Sequence, residues 1–301
     1  MYVLLGSNGN ITSKAARLLL AQGAPVRVVG RNASSLTALK SAGAQIAAGD
    51  VNDERFLAGA FAGATAVYAM IPSEYTAADL PASQDRMGTA IAHAIAKAGV
   101  KRVVNLSSIG AHVPSGTGPI AGLHRQERRL DALSGVDVLH LRPGYFYENH
   151  LFAVGTFKAL GVYPDMTAPD APIPMIPTAD IAQVVARELQ APSGRGKRVL
   201  HLHAPRNYSM KESAAILGAA IGKPQFAYVQ ADPAQAKAAM VQHGFSASAA
   251  DQFEEMSAAF SEGRLLGALQ SLPAEITPTT LEEFAKSVFR PAFEAEGQAA
   301  A

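Results

Sequence analysis

Tyr2-Val3-Leu4-Leu5-Gly6-Ser7-Asn8-Gly9-Asn10-Ile11-Thr12 is the stretch on which the reading of this chain turns. Four apolar residues run straight into a glycine, as expected of a buried central parallel strand. Behind them Ile11, Ala15, Leu18 and Leu19 recur at helical spacing through Ala21. A glycine-punctuated turn between a buried strand and an amphipathic helix is built to meet phosphate. Gly6 lets the chain turn sharply, Gly9 lets backbone approach a pyrophosphate without a Cβ in the way, and the helix N-terminus offers unpaired N–H groups. The third position of this G-x-x-G-x-x-G pattern is Thr12, so the helix must pack on the strand with a small side chain between them. Gly6, Asn8, Gly9, Asn10 and Ile11 are therefore expected to bind a dinucleotide.

Downstream, strands and helices alternate. Strands are expected at Pro25–Val29, Ala44–Ala48, Ala64–Met70, Arg102–Leu106 and Val136–Leu141. Helices are expected at Ser34–Lys40, after the Asn52-Asp53-Glu54 cap, at Gln84–Ala98 and at Leu123–Leu133. Short connections and right-handed crossovers predict an α/β fold: a Rossmann-type doubly wound parallel sheet with a smaller, mixed α/β C-terminal lobe. Residues 1–150 form the NAD(P)-binding domain, with a return contribution from about 176–206, where Thr178-Ala179-Asp180 caps a helix and Arg198–His203 reads as a strand. Residues 151–293 form a mostly helical substrate-side lobe, irregular over 151–177 and helical at Met210–Ile221, Pro233–His243, Ala247–Glu262 and Leu281–Phe289. Residues 294–301 read as a loose tail.

Composition narrows the function. Of 301 residues, 49% are hydrophobic and 17% charged, with net charge +1 and no cysteine. That balance supports a buried core and gives no field toward nucleic acid or anionic membrane. It also removes thiol nucleophiles and cysteine-held metals, and the scattered histidines show no HExxH spacing. No run approaches the length of a membrane span, and no basic leader precedes the first strand, so the cytoplasm is the expected compartment and a small molecule the expected partner. A monomer and a homodimer are both compatible with the sequence.

The ends of the other strands supply further ligand-facing candidates. The second ends at Gly30-Arg31-Asn32, without the carboxylate that an NADH-selective site sets against a ribose 2′-hydroxyl. Arg31 offers a fork of donors to a 2′-phosphate, with Ser34 and Ser35 as further donors, so NADP(H) is preferred over NAD(H). Asp50, beside Val51, is read either as an acceptor for the adenine amino group or as a turn-former. Met70, Ile71 and Pro72 close the fourth strand and Ser107 the fifth, where open α/β sheets place ligands. Tyr145, Tyr147, Asn149 and Phe152 follow the sixth strand and either receive a flat, aromatic substrate or fill the C-terminal core.

Together these segments resemble the NmrA-like branch of the atypical short-chain dehydrogenases/reductases. The likeness rests on Gly6 to Thr12, Val28-Val29-Gly30-Arg31-Asn32, Ala48-Gly49-Asp50-Val51, the run Ala98 to Ser108 and the run Leu141 to Asn149. It continues through the Asp180 and Lys211-Glu212-Ser213 helices. The resemblance implies NADP(H) binding, and either reduction of quinones or azo compounds or redox sensing with little catalysis. It departs from the catalytic reductases of the superfamily at Tyr-x-x-x-Lys: His124 takes the Tyr position and Arg128 the Lys position. Arg128 cannot shuttle protons and is counted instead with the coenzyme-binding residues. His124 is a proton donor, a holder of the nicotinamide ribose or amide, or a plain polar helix residue. A quinone, whose reduced product is aromatic, needs little built-in acid, so NADPH-dependent hydride transfer to a quinone-like acceptor fits this departure. His201 and His203, alternating on a strand, are expected to be structural.

Overall fold

The computed structural model describes residues 1–6, 9–267 and 273–298. Strand β1 (Tyr2–Leu5) leads to helix α1 (Asn10–Ala21), followed by β2 (Val26–Gly30), α2 (Thr37–Ser41), β3 (Gln45–Ala48), α3 (Glu54–Phe61), β4 (Ala66–Ala69) and α4 (Leu80–Lys97). Then come β5 (Arg102–Leu106), α5 (Ile120–Asp131) and β6 (Asp137–Pro143). All six strands pair in parallel, in the order β3-β2-β1-β4-β5-β6. Because β1 is covered on both sides, its residues alternate between two cores. Leu4 packs with Ala15 and Leu19 of α1, whereas Val3 and Leu5 pack with Leu57 of α3 and Ile91 and Ile95 of α4.

Helix α4 starts at Leu80, four residues before the sequence pattern suggested. Asp79 caps it by accepting from the Ala82 N–H at 2.9 Å, and Pro81 sits in the first turn, where its missing N–H costs nothing.

The chain continues through β7 (Tyr145–Phe146), a 3₁₀ segment (Tyr147–Ala153), α6 (Val154–Leu160), β8 (Val162–Asp165), β9 (Ile173–Ile176), α7 (Thr178–Gln190) and β10 (Lys197–His203). β10 pairs in parallel with β6 and so extends the main sheet. α7 lies against α1, where Ala15, Ala16, Ala182 and Ala186 are all buried and let the helices approach closely. The remainder is β11 (Asn207–Tyr208), α8 (Met210–Ala220), β12 (Ala227–Gln230), α9 (Pro233–Gln242), α10 (Ala247–Ser261), β13 (Ala274–Ile276), α11 (Leu281–Phe284) and α12 (Arg290–Gln298). β13 joins β10 at the sheet's edge, giving eight strands. Two small sheets, β11-β9-β7 and β12-β8, belong to the C-terminal lobe. Its core is aromatic, with Tyr147, Phe157, Tyr163, Tyr208, Phe226, Phe284 and Phe289 in one cluster.

Two expectations are corrected. The tail expected to be loose from residue 294 is helical to Gln298, because Phe293 stacks on Phe289 at 6.5 Å and Arg290 pairs with Glu294 one turn on. The rest of that tail, 299–301, lies outside the described residues. Thr178 does not cap α7. Pro177 is the cap, and the Thr178 N–H is instead taken by the Glu148 carboxylate at 2.9 Å.

Candidate active site

Gly6 leaves β1 at φ +124°, and a Cβ there would stand 2.6 Å from the Thr12 hydroxyl oxygen. Its N–H donates to the Val29 carbonyl at 3.1 Å, and the Gly9 N–H donates back to the Gly6 carbonyl at 3.1 Å. Gly9 is the cap residue of α1, so no cap side chain bonds the first amides, and no acidic residue stands in the first turn. The opening amides and the positive end of the helix dipole are therefore left for an anion. Asn10 is exposed at this mouth, whereas Ile11 turns its side chain into the core and offers the ligand only backbone. Asn8 lies outside the described residues. Thr12 is buried and its hydroxyl donates to the Leu5 carbonyl at 3.0 Å, fastening helix to strand where a third glycine would merely allow contact.

The ends of β2, β3 and β4 surround this cradle. Arg31 is exposed and forms no hydrogen bond or ion pair with any described residue. Ser34 and Ser35, expected as donors, spend their hydroxyl protons on Asn32, at 2.8 Å to its side chain and 2.8 Å to its carbonyl. They shape the loop that carries Arg31. Asp50 Oδ1 accepts from the Asn52 N–H at 2.9 Å and its amide at 3.1 Å, so of the two roles weighed for it the turn is the one these contacts fill. Val51 is buried against the α3 core and has only backbone to offer. Met70 lies over Gly6, its sulfur 3.1 Å from where a Cβ would be, with Ile71 and Pro72 next along.

At the β5 end, Ser107 is buried. Its N–H donates to the Leu141 carbonyl at 2.8 Å and its hydroxyl to Glu127 Oε1 at 2.5 Å. Arg142, from β6, grips the same carboxylate with Nε to Oε1 at 2.9 Å and Nη2 to Oε2 at 2.5 Å. Glu127 and Arg142 are buried with it. This group went unseen in the sequence, which directed attention to Arg128. Arg128 is exposed and points away, because a single residue step turns the helix by about 100°. Glu127 is the α5 residue that reaches the strand ends, through Ser107 and Arg142, whereas Arg128, named among the coenzyme-binding candidates, lies one step round the helix. The lone Glu in Gln126-Glu127-Arg128 and the arginine inside the apolar strand 138–143 were the available signals.

His124 is half-buried, and its Nδ1–H donates to the Ala111 carbonyl at 2.8 Å. A carbonyl only accepts, so Nδ1 carries the proton and Nε2 is left facing away from that anchor. His112 lies beside His124 and the Glu127–Arg142 pair. Burial lowers its pKa, the Arg142 charge adds to the fall, and Glu127 opposes it. His201 is fully buried, and neither ring nitrogen has a hydrogen-bond partner among the described residues.

The aromatic segment divides. Tyr145 is half-buried with Asn149 beside its phenol, and burial raises that phenol's pKa. Tyr147 is 0% exposed, packed on Tyr208 and Phe284, with its hydroxyl donating to the Thr279 carbonyl at 3.4 Å. It belongs to the lobe core and cannot receive substrate. Phe152 is 84% exposed on the surface. Sequence reading also missed Tyr75, which stacks on Phe245 at 5.2 Å and accepts from the Ser246 N–H at 2.8 Å. These contacts fasten the loop after β4 to the α9–α10 corner. Among the described residues no group of His, Asp or Glu side chains could hold a metal ion, and no helix is long and apolar enough to cross a membrane.

Residues 6–192 match a family of NAD(P)H-binding domains. The chain is 31% identical over 290 residues to the NAD(P)H azoreductase of Xenophilus azovorans, covering 95% of this chain and 97% of that one. Its fold is shared with the NADPH-dependent quinone oxidoreductase QOR2 of Escherichia coli, solved with NADPH (TM-score 0.79, 24% identity, 96% of this chain and 100% of that one). It is shared too with the negative transcriptional regulator NmrA, solved with NADP (TM-score 0.74, 17% identity, 98% of this chain and 97% of that one). With its glycine cradle at the mouth of α1 and its strand order, the chain belongs to this NAD(P)H-binding family and is an NAD(P)H-dependent oxidoreductase.

Proposed function

We propose that the protein is an NADPH-dependent reductase of quinones, azo compounds or similar flat electron acceptors, working without a Tyr–Lys acid. The observation that carries this reading is a glycine cradle at the mouth of α1 with an exposed Arg31, without a partner among the described residues, at the end of the adjoining strand. The cradle fits a diphosphate, and the guanidinium fork fits a ribose 2′-phosphate. No carboxylate ends β2 to favour a 2′-hydroxyl, and NAD(H) would use the same cradle without the help of Arg31. Likeness to an azoreductase over nearly the whole chain supports the substrate class.

The bound nicotinamide supplies a hydride. The protein's own part is to hold and shield. Backbone amides at Gly9 to Ile11 take the diphosphate. In this reading Met70, Ile71 and Pro72 lie on one side of the bound nicotinamide and its acceptor, and Tyr145 and Asn149 on the other. His124 faces the space between through Nε2. Since Nδ1–H is fixed on Ala111, the neutral ring presents a lone pair there and only the imidazolium presents a proton.

Steady-state NADPH oxidation with a panel of quinones and azo dyes tests the reading. Turnover above background is expected, with His124→Gln lowering kcat more than it raises KM. Binding of NADPH without turnover on any acceptor would abandon the reductase in favour of a nucleotide sensor.

A further inference from the structure

Ser107, Glu127 and Arg142 form a closed hydrogen-bond group in which every proton can be assigned. Both Glu127 oxygens accept from the Arg142 guanidinium, at 2.9 and 2.5 Å, so the carboxylate has no proton to give. The proton in the 2.5 Å Ser107–Glu127 contact therefore belongs to the serine, at the short, charge-assisted end of O–H···O⁻ bonds. A hydroxyl has one proton and two lone pairs. With the proton committed to a buried charge, Ser107 presents lone pairs alone at the β5 end.

That polarity discriminates between possible partners. A quinone oxygen or an azo nitrogen also offers only lone pairs, so such a substrate gains nothing from Ser107. The carboxamide on a nicotinamide ring carries an N–H₂ donor. We propose that Ser107 accepts a hydrogen bond from the coenzyme's carboxamide, and that Glu127 and Arg142 are positioning residues that hold the serine as an acceptor and so fix the rotation of the ring. This rests on the reading above, that the coenzyme crosses from the mouth of α1 to the ends of β4 and β5.

Two ligands separate this role from a structural one: NADPH, and 2′-phosphoadenosine 5′-diphosphoribose, which keeps the diphosphate and 2′-phosphate but lacks nicotinamide. Titrated into the full chain, Ser107→Ala should weaken NADPH about fivefold to tenfold, the effect of one lost hydrogen bond, and leave the fragment unchanged. Ser107→Thr, which keeps the hydroxyl, should restore NADPH binding. Glu127→Gln puts an amide donor within reach of Ser107 and frees its proton to turn outward, so it should show the same selective loss. The double variant Ser107→Ala/Glu127→Gln should lose no more than Ser107→Ala alone. If Glu127→Gln, which leaves part of the buried Arg142 fork unpaired, does not fold, Ser107→Ala decides alone, because it leaves the ion pair intact. Equal losses for the two ligands, or no loss for either, overturn the proposal, and additive losses in the double variant overturn the positioning role. Failure of the wild-type chain to bind either ligand overturns the coenzyme reading itself.

Discussion

Thr12 and the histidines show how single residues depart from what their type suggests. Thr12 occupies a position where glycine is the usual way to bring helix and strand together. It stays because its hydroxyl finds the Leu5 carbonyl, so a small polar side chain does by bonding what glycine does by absence. His150 and His201 are buried and held neutral. Burial drives the His150 pKa down to about 3 and that of His201 to about 4, from 6.5 in the open chain. The unfolded chain therefore takes up protons as pH falls through 6.5, while the folded chain refuses them until about 4 and then about 3. Stability is complete above about pH 7 and is lost progressively as pH falls through that window. Thermal melts should show a lower Tm at pH 5 than at pH 7.5, with a smaller drop in His150→Gln and in His201→Gln. A Tm that does not move between those pH values would contradict the burial of both rings.

Among the elements, α7 depends on a residue far from it in sequence. Glu148 accepts from the Thr178 N–H at 2.9 Å and from the Thr178 hydroxyl, and it pairs with Lys14 of α1 at 3.3 Å. One carboxylate thus closes the N-terminus of α7 and ties it to the coenzyme-facing helix. Glu148→Ala leaves the Thr178 amide without its acceptor, while Lys14 keeps its bond to the Thr178 hydroxyl, and should cost about 1–3 kcal/mol in urea denaturation, the price of a buried donor left unmade. An unchanged midpoint would show that water replaces Glu148 without loss. Long elements were legible because their periods are strong. The four apolar residues of β1 and the repeating face of α1 leave one interpretation, and β1, β5 and α9 start at the residues expected of them. The elements β7, β11 and β13, of two or three residues, were not legible, since so short a run carries no period and forms only because a partner strand is there. Glu148 was hidden for a related reason: a cap supplied from thirty residues away leaves no mark beside the helix it caps.

Across the whole molecule, Gly6, Arg31, Asp50, Met70 and Ser107 follow the ends of parallel strands, which is why strand order alone could single them out as candidates. Side-chain direction could not be selected so well. Tyr147 and Tyr145 are two residues apart on one aromatic stretch, yet Tyr147 is sealed between Tyr208 and Phe284 while Tyr145 lies against His150 and Phe260 and stays half-buried, and only tertiary packing decides between them. Likewise the Ser107–Glu127–Arg142 group joins three elements and exists only once β5, α5 and β6 have folded together. All of this chemistry presumes that the amides at the mouth of α1 hold a coenzyme diphosphate while Arg31 holds its 2′-phosphate. Calorimetric titration of NADPH and NADH into the wild-type chain and Arg31→Asp tests that most directly. One NADPH should bind per chain, more tightly than NADH, and the substitution should weaken NADPH on the order of 1–3 kcal/mol while barely touching NADH. No association of either coenzyme with the wild-type chain would contradict the account.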